Sequence, residues 1–276
     1  MFDTHCHLNF KAFKKTLLEV IDTAHESGVT HIVIPGTDVK TSRKGVEIAQ
    51  SQNNMYSAVG IHPHHVYKLL TNAELTVDSE LLQIEDLLVQ PKVVAVGEIG
   101  MDRHEYKETV YEEYNVDGKF LELQKELFEK QVLLAIKHNK SLILHNREAS
   151  EDLLPILSKV WDSKLEGRTV LHCCEAHDHL LQFAQEHHIY LGVDGDITYS
   201  PEKQEFIKKV PLEMLVLETD SPFLLPEPLK SQRQFPNNPA NIKIIAETVA
   251  KLRNDSFDEI KEVTSDNAKK LFQIAA

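Results

Sequence analysis

His5 and His7 stand one residue apart at the end of an apolar-flanked segment, FDTHCH. In an extended chain alternate side chains share a face, so the two imidazoles project together while Cys6 points away. A lone pair of this kind reads as polar decoration of an N-terminal segment. Four further residues change that reading. Glu98 (VAVGEIG), His145 (SLILHNRE), His172 (RTVLHCCE) and Asp220 (MLVLETDSP) each close a short apolar run rich in β-branched residues. Neutral imidazole nitrogens and carboxylate oxygens suit Zn²⁺, Mn²⁺, Mg²⁺ or Fe²⁺, so the set defines a class of ion without choosing one. Six ligands exceed the needs of one tetrahedral ion. Two divalent ions use them economically: His5, His7 and Asp220 on one, His145 and His172 on the other, and Glu98 bridging. Such a pair lowers the pKa of water, polarises an electrophile and stabilises a leaving oxygen. Asp220 has the second role of carrying the proton from water to the leaving group. A carboxylate at a strand end can simply cap the next helix. Glu98 resists that account, because Gly97, Ile99 and Gly100 hem it in and a buried carboxylate is costly without a cation.

A second constellation, GIHPHH, carries His62 and His64 around the stiff Pro63. Both are candidate donors to a substrate phosphate; the alternative is helix capping or surface display. Arg147 follows His145 by two residues, and its fork suits phosphate or carboxylate. Its bland alternative is an ion pair with Glu148 or Glu151, worth little at a surface. Asn237-Asn238-Pro239 opens a helix, which gives either an anion site at its free N–H groups or plain capping by Asn238.

These residues need a scaffold that delivers one ligand per strand end. Apolar runs predict strands over 2–7, 31–35, 56–61, 93–99, 141–145, 168–172, 189–193 and 214–219. Helical spacing predicts helices over 13–27, 39–52, 79–89, 118–139, 148–161, 177–186 and 201–210, with two more over 240–252 and 256–272. Alternating strands and helices with continuous apolar strands imply a parallel sheet covered by helices. Eight such units point to an α/β fold, a (β/α)8 TIM barrel with extra C-terminal helices, whose ligands gather at one mouth. An open doubly wound sheet is the rival, weakened by the absence of a glycine-rich phosphate loop after the first strand. A long charged loop over 100–117 is either a lid or a solvated insertion. No linker or repeat divides the chain, so one domain over 1–276 is expected.

Composition narrows the function. The net charge of −13 excludes broad, sequence-independent binding to long duplex nucleic acid, so any nucleic-acid role must be local and metal-assisted. No run of about 18 apolar residues occurs, which argues against a membrane span. The first strand begins at residue 2, so no signal peptide is expected. Cys6, Cys173 and Cys174 read as reduced thiols, small apolar core residues rather than soft ligands, consistent with a cytoplasmic location.

Taken together, FDTHCHL, VGIHPH, VGEIGMD, LILHNREA, LHC, LETDSP, NNPANI and TSDNAKKLF resemble, in order and over nearly the whole chain, the TatD-like metal-dependent hydrolases of the amidohydrolase superfamily. The resemblance implies a (β/α)8 barrel, a two-metal centre and hydrolysis of phosphodiester bonds in nucleic acid. It implies His5, His7, Glu98, His145, His172 and Asp220 as metal ligands, with His62 and Arg147 contacting substrate phosphate. The chain departs from the family pattern at Arg103-His104 and at Cys174-Glu175-Ala176, near the expected substrate groove. The expectation is a DNase acting on single-stranded or frayed ends, most simply an exonuclease on single-stranded DNA, with no obligate protein partner. The alternative is a small-molecule amidohydrolase acting on a lactone, cyclic amide or phosphoester. Many of those bridge their metals with a carboxylated lysine on a barrel strand, and here no lysine ends a strand. A catalytically silent scaffold would have lost ligands, and all six are present.

Overall fold

Eight short parallel strands hydrogen-bond in sequence order: β1 (Phe2–Asp3), β2 (His31–Pro35), β3 (Met55–Val59), β4 (Val93–Asp102), β5 (Ser141–Arg147), β6 (Thr169–Leu171), β7 (Tyr190–Val193) and β8 (Leu215–Leu217). The computed structural model describes residues 1–275. Closure of the sheet is made by the chain just beyond β1. Thr4 N donates to Leu217 O at 3.1 Å, His7 N to Ser221 O at 2.8 Å and Asp220 N to His5 O at 2.9 Å, with Cys6 bridged in parallel to Ser221. The result is a (β/α)8 barrel.

Between and after the strands run helices α1 (Leu17–Glu26), α2 (Val39–Ser51), α3 (Tyr67–Thr71), α4 (Val77–Leu88), α5 (Gly118–His138), α6 (Ser150–Val160), α7 (Asp178–Glu186), α8 (Pro201–Lys209), α9 (Ile242–Arg253) and α10 (Phe257–Phe272). Each strand contributes one buried side chain to a common cluster: Phe2, Val33, Ala58, Ala95, Ile143, Val170, Tyr190 and Val216. Ala268, Leu271 and Phe272 of α10 join the same cluster, so the C-terminal helix plugs the end of the barrel opposite the histidines. The larger apolar cluster lies between strands and surrounding helices.

Four expectations shift. Regular β1 stops at Asp3 rather than at residue 7, because the chain around Cys6 pairs through single bonds to 217–221 instead of a ladder. The first full helix starts at Leu17, after a 3-10 turn over Lys11–Phe13, not at residue 13. α3 went unread, since five residues are too few to show a helical period. By contrast, β4 runs past Ile99 to Asp102, pairing Gly100 with His145 and Asp102 with Arg147. Gly100 has φ +149°, and a Cβ there would lie 1.9 Å from the His145 carbonyl oxygen, so only glycine permits this approach.

Candidate active site

All six residues singled out for ion binding meet at the mouth of the barrel, and Glu98 is their centre. Its Oε2 faces His5 Nε2 (3.4 Å) and His7 Nε2 (3.6 Å). Its Oε1 faces His145 Nδ1 (2.9 Å), His172 Nε2 (3.0 Å) and His62 Nε2 (3.3 Å). Asp220 Oδ1 lies 3.3 Å from His7 Nε2 and 3.6 Å from His5 Nε2, on the Oε2 side only. The side chains therefore divide into two groups whose ligand atoms converge, His5–His7–Asp220 and Glu98–His145–His172.

The ring nitrogens are oriented by what stands behind them. His7 Nδ1 donates to the Pro35 carbonyl (3.3 Å), which leaves the Nε2 lone pair facing the centre. His145 presents Nδ1 to Glu98 and Nε2 to Asp102 Oδ2 (3.2 Å). His172 is the mirror case, with Nε2 toward Glu98 and Nδ1 3.3 Å from Glu218 Oε1. His5 and Asp220 are fixed from beneath by Asp3. That carboxylate accepts from His5 N (3.2 Å), Thr219 N (3.1 Å) and Thr219 Oγ1 (2.7 Å), while Ser221 Oγ donates to Thr219 Oγ1. Asp220 itself has φ +48°.

The donor set fits divalent cations. It is four buried or half-buried imidazoles and two carboxylates, nitrogen and oxygen only. Its electrostatics also ask for positive charge. Burial favours the neutral form of Glu98, yet the surrounding histidines outweigh it and hold the carboxyl well below its usual range. Burial likewise pulls His145 down, but hydrogen bonds to Asp102 and Glu98 outweigh it and raise the pKa to about 9. His172 also loses to burial and is held well above the ordinary value by Glu98 and Glu218. Without an ion, protons supply the charge that the cluster stabilises.

A cavity of about 540 Å³ opens onto this centre. His62 lines it. Its Nδ1 accepts from His64 N (3.1 Å), so the neutral ring carries its proton on Nε2, aimed inward. Burial lowers its pKa, with the neighbouring His145 adding to the effect. Arg147 also lines the cavity and does not pair with Glu148 or Glu151. It donates to Tyr106 Oη (3.1 Å) and lies over that ring at 5.1 Å, while Glu148 pairs with His104 (2.8 Å). His64 reaches the wall, but its Nε2 is bonded to Thr109 Oγ1 (2.9 Å) and its ring is packed among Tyr106, Tyr111 and Tyr114. The loop over 103–117 therefore packs its tyrosines into an aromatic wall around His64, with Tyr106 and Glu108 lining the cavity, while its charged residues remain largely exposed to solvent. Asn238 caps the helical turn at Ala240 N (3.0 Å), and Asn237 pins the chain after β8 by donating to Thr219 O and Phe223 O. Cys6 and Cys174 are buried, while Cys173 is half-buried on the cavity wall rather than in the core.

Three carboxylates escaped the sequence reading: Asp3, Asp102 and Glu218, all buried. Glu218 and Asp220 are two residues apart in LETD, the same alternation that marked His5 and His7, and that signal could have found Glu218. Lys203, reaching the cavity from α8, is also new. Its charge is committed to Asp194 (3.0 Å) and Asp196 (2.7 Å).

A closed parallel barrel with acid–imidazole clusters at its C-terminal mouth is the architecture of a metal-dependent hydrolase. The chain belongs to the TatD related DNase family, whose model matches residues 2–273. The metal-dependent hydrolase YabD of Bacillus subtilis is 34% identical over 276 residues, covering 99% of each chain. The 3'-5' ssDNA/RNA exonuclease TatD of Escherichia coli is 31% identical over 281 residues, covering 100% of each. Among solved structures, the TatD homologue YjjV of Escherichia coli superimposes with a TM-score of 0.83 at 28% identity, covering 100% of this chain and 98% of that one. Among the described residues, no helix is long and apolar enough to cross a membrane.

Proposed function

We propose that the protein is a two-metal exonuclease that removes nucleotides from single-stranded ends of DNA, by hydrolysis of phosphodiester bonds. The observation that carries this reading is the division of labour at Glu98, whose two oxygens face two separate ligand groups. His5, His7 and Asp220 would hold one ion, His145 and His172 the other, and Glu98 would bridge. When bound, such ions supply Lewis acidity to a phosphoryl oxygen and acidify the attacking water. The chain's own residues do the rest. Asp220, its side chain 12% exposed to the cavity, accepts the water proton and returns it to the leaving oxygen. His62 donates its Nε2 proton to a non-bridging phosphate oxygen, and Arg147 offers its free guanidinium N–H groups to the same or the next phosphate. His64 shapes the aromatic wall instead of touching substrate. The relative from Escherichia coli, named as a 3'-5' ssDNA/RNA exonuclease, supports the exonuclease reading and the single-strand preference.

The net charge of −13 leaves recognition to these few groups, so few counterions are released on binding and affinity should depend only shallowly on salt. The test is incubation of metal-loaded protein with end-labelled single-stranded and duplex oligonucleotides over a salt series, beside phosphodiester, lactone and amide panels. Stepwise shortening of single strands with a shallow salt slope is expected. Preferential cutting within long duplex contradicts the reading. Lactone or amide hydrolysis without nucleic-acid turnover establishes the small-molecule alternative.

A further inference from the structure

Aromatic rings flank the acid–imidazole centre on both sides, and they differ in how much of their surface is free. On the His145 side stands Tyr106. Its hydroxyl donates to Asp102 Oδ2 (2.7 Å), Arg147 lies over its ring, and the edges of His64 and His104 close around it at 4.9 Å each. Its surface is spoken for. On the His7 side, Phe10 stacks on His7 with ring centroids 4.3 Å apart and planes within 19°. Phe223 then meets Phe10 edge-on at 6.0 Å and 77°.

Phe223 lines the cavity and is 50% exposed, an unusual position for a phenyl ring. It is also held firmly. Its N–H donates to Asp220 O (2.8 Å), and its carbonyl accepts from the buried Asn237 amide (2.7 Å). Phe10 is three residues from His7 and Phe223 three from Asp220, so both rings take their positions from candidate ion ligands. A flat, half-exposed apolar face lining the cavity, with its ring centroid 6.2 Å from that of His7, matches a nucleobase attached through its sugar to a phosphate at the centre.

Resting on the exonuclease reading above, we propose that Phe223, braced by Phe10, is the base platform of the site: one of the two nucleosides flanking the scissile phosphate stacks on its exposed face. Such a platform binds any base, because every base has a π face, so it selects unpaired nucleotides without selecting sequence. It also disfavours a paired end, whose base must first be unpaired from the complementary strand before it can enter the cavity and stack.

The test uses metal-loaded, full-length protein and single-stranded oligonucleotides with an abasic residue at the terminal or the penultimate position. For the wild type, one of the two abasic substrates should lose about 5- to 150-fold in kcat/KM, the range set by stacking of one base. Phe223→Ala should lose a similar factor on the intact strand and add no further loss on that abasic substrate. Phe223→Leu, which keeps an apolar cover and removes the π face, should behave like Phe223→Ala, and Phe223→Trp should retain full discrimination. A 2-aminopurine at the sensitive position, in a strand with phosphorothioate linkages to slow turnover, should be quenched on binding to wild type and not to Phe223→Leu. Equal abasic penalties in wild type and variants overturn the platform while leaving the exonuclease reading intact. Hydrolysis of a small activated phosphodiester with no turnover of any oligonucleotide overturns the exonuclease reading, and the platform with it.

Discussion

If the centre holds the two ions proposed above, Asp102→Asn should loosen one and spare the other. The Asp102 carboxylate accepts three hydrogen bonds: His104 N on Oδ1 (2.8 Å), and both Tyr106 Oη (2.7 Å) and His145 Nε2 (3.2 Å) on Oδ2. An asparagine supplies one acceptor oxygen and an NH₂ that only donates. With its amide nitrogen in the Oδ2 position it faces two donors. Tyr106 Oη already accepts from Arg147, and His145 can adapt only by moving its proton to Nδ1, the nitrogen that faces Glu98. With the amide turned over, the nitrogen instead opposes His104 N–H and the loop over 103–117 loses its anchor. Either arrangement forfeits one or two charge-assisted hydrogen bonds, each about 1.5–3 kcal/mol. Part of that loss is recovered by relaxation, and removal of a carboxylate behind a ligating imidazole costs about 10- to 100-fold in ion affinity. The expected outcome is a rise of that size in the Kd of the ion held by His145 and His172. The ion held by His5, His7 and Asp220, which Asp102 does not touch, should change by less than about threefold. Calorimetric titration of chelator-stripped protein with Mn²⁺ or Zn²⁺, fitted to two sites, measures both constants, with circular dichroism to establish that the barrel is intact. Two unchanged constants, or equal loss at both sites in a folded variant, would refute the assignment of Asp102 to the orientation of His145.

Other perturbations separate the remaining roles. Asp220→Asn should cut kcat by about 10² or more in saturating metal while the barrel stays folded, measured by single-turnover hydrolysis and near-UV circular dichroism. Arg147→Ala should raise KM for oligonucleotides by about 10-fold and leave hydrolysis of a small activated phosphodiester close to wild type, because Arg147 meets no Glu98 ligand. Burial raises the Asp3 carboxyl from 3.8 to about 8, above its unfolded value, so the folded metal-free protein binds the extra proton. Its stability should therefore fall as pH rises through that window, by at most about 1.4 kcal/mol per pH unit, and Asp3→Asn should flatten the slope in urea titrations run from pH 5 to 8.

The strand ends were legible because buried parallel strands write themselves as continuous apolar runs, and a polar residue closing such a run is conspicuous. That is how Glu98, His145, His172 and Asp220 declare themselves. Asp102 was hidden by Gly100, which interrupts the apolar run although the absent Cβ is what lets β4 continue beside His145. Glu218 was marked only by its alternation with Asp220, because the groups it serves, His172 and Cys173 N, lie more than 40 residues away, and Asp3 gave no sign of its bonds to Thr219 across the barrel seam. The aromatic wall was unreadable for the same reason. Tyr106, Tyr111 and Tyr114 sit in a charged loop whose composition signals solvent, and only contact with His64, His65 and Tyr67 gives them a face to cover.

The seam where the barrel closes has a consequence for biosynthesis. His5 and His7 are synthesised more than two hundred residues before Asp220, their partner. The bonds that align them, Thr4 to Leu217 and His7 to Ser221, join the two ends of the barrel and cannot form on a nascent fragment. A ribosome paused short of β8 thus displays two histidines without the acid that completes their group. The His5–His7–Asp220 group is therefore complete only once β8 has closed the barrel.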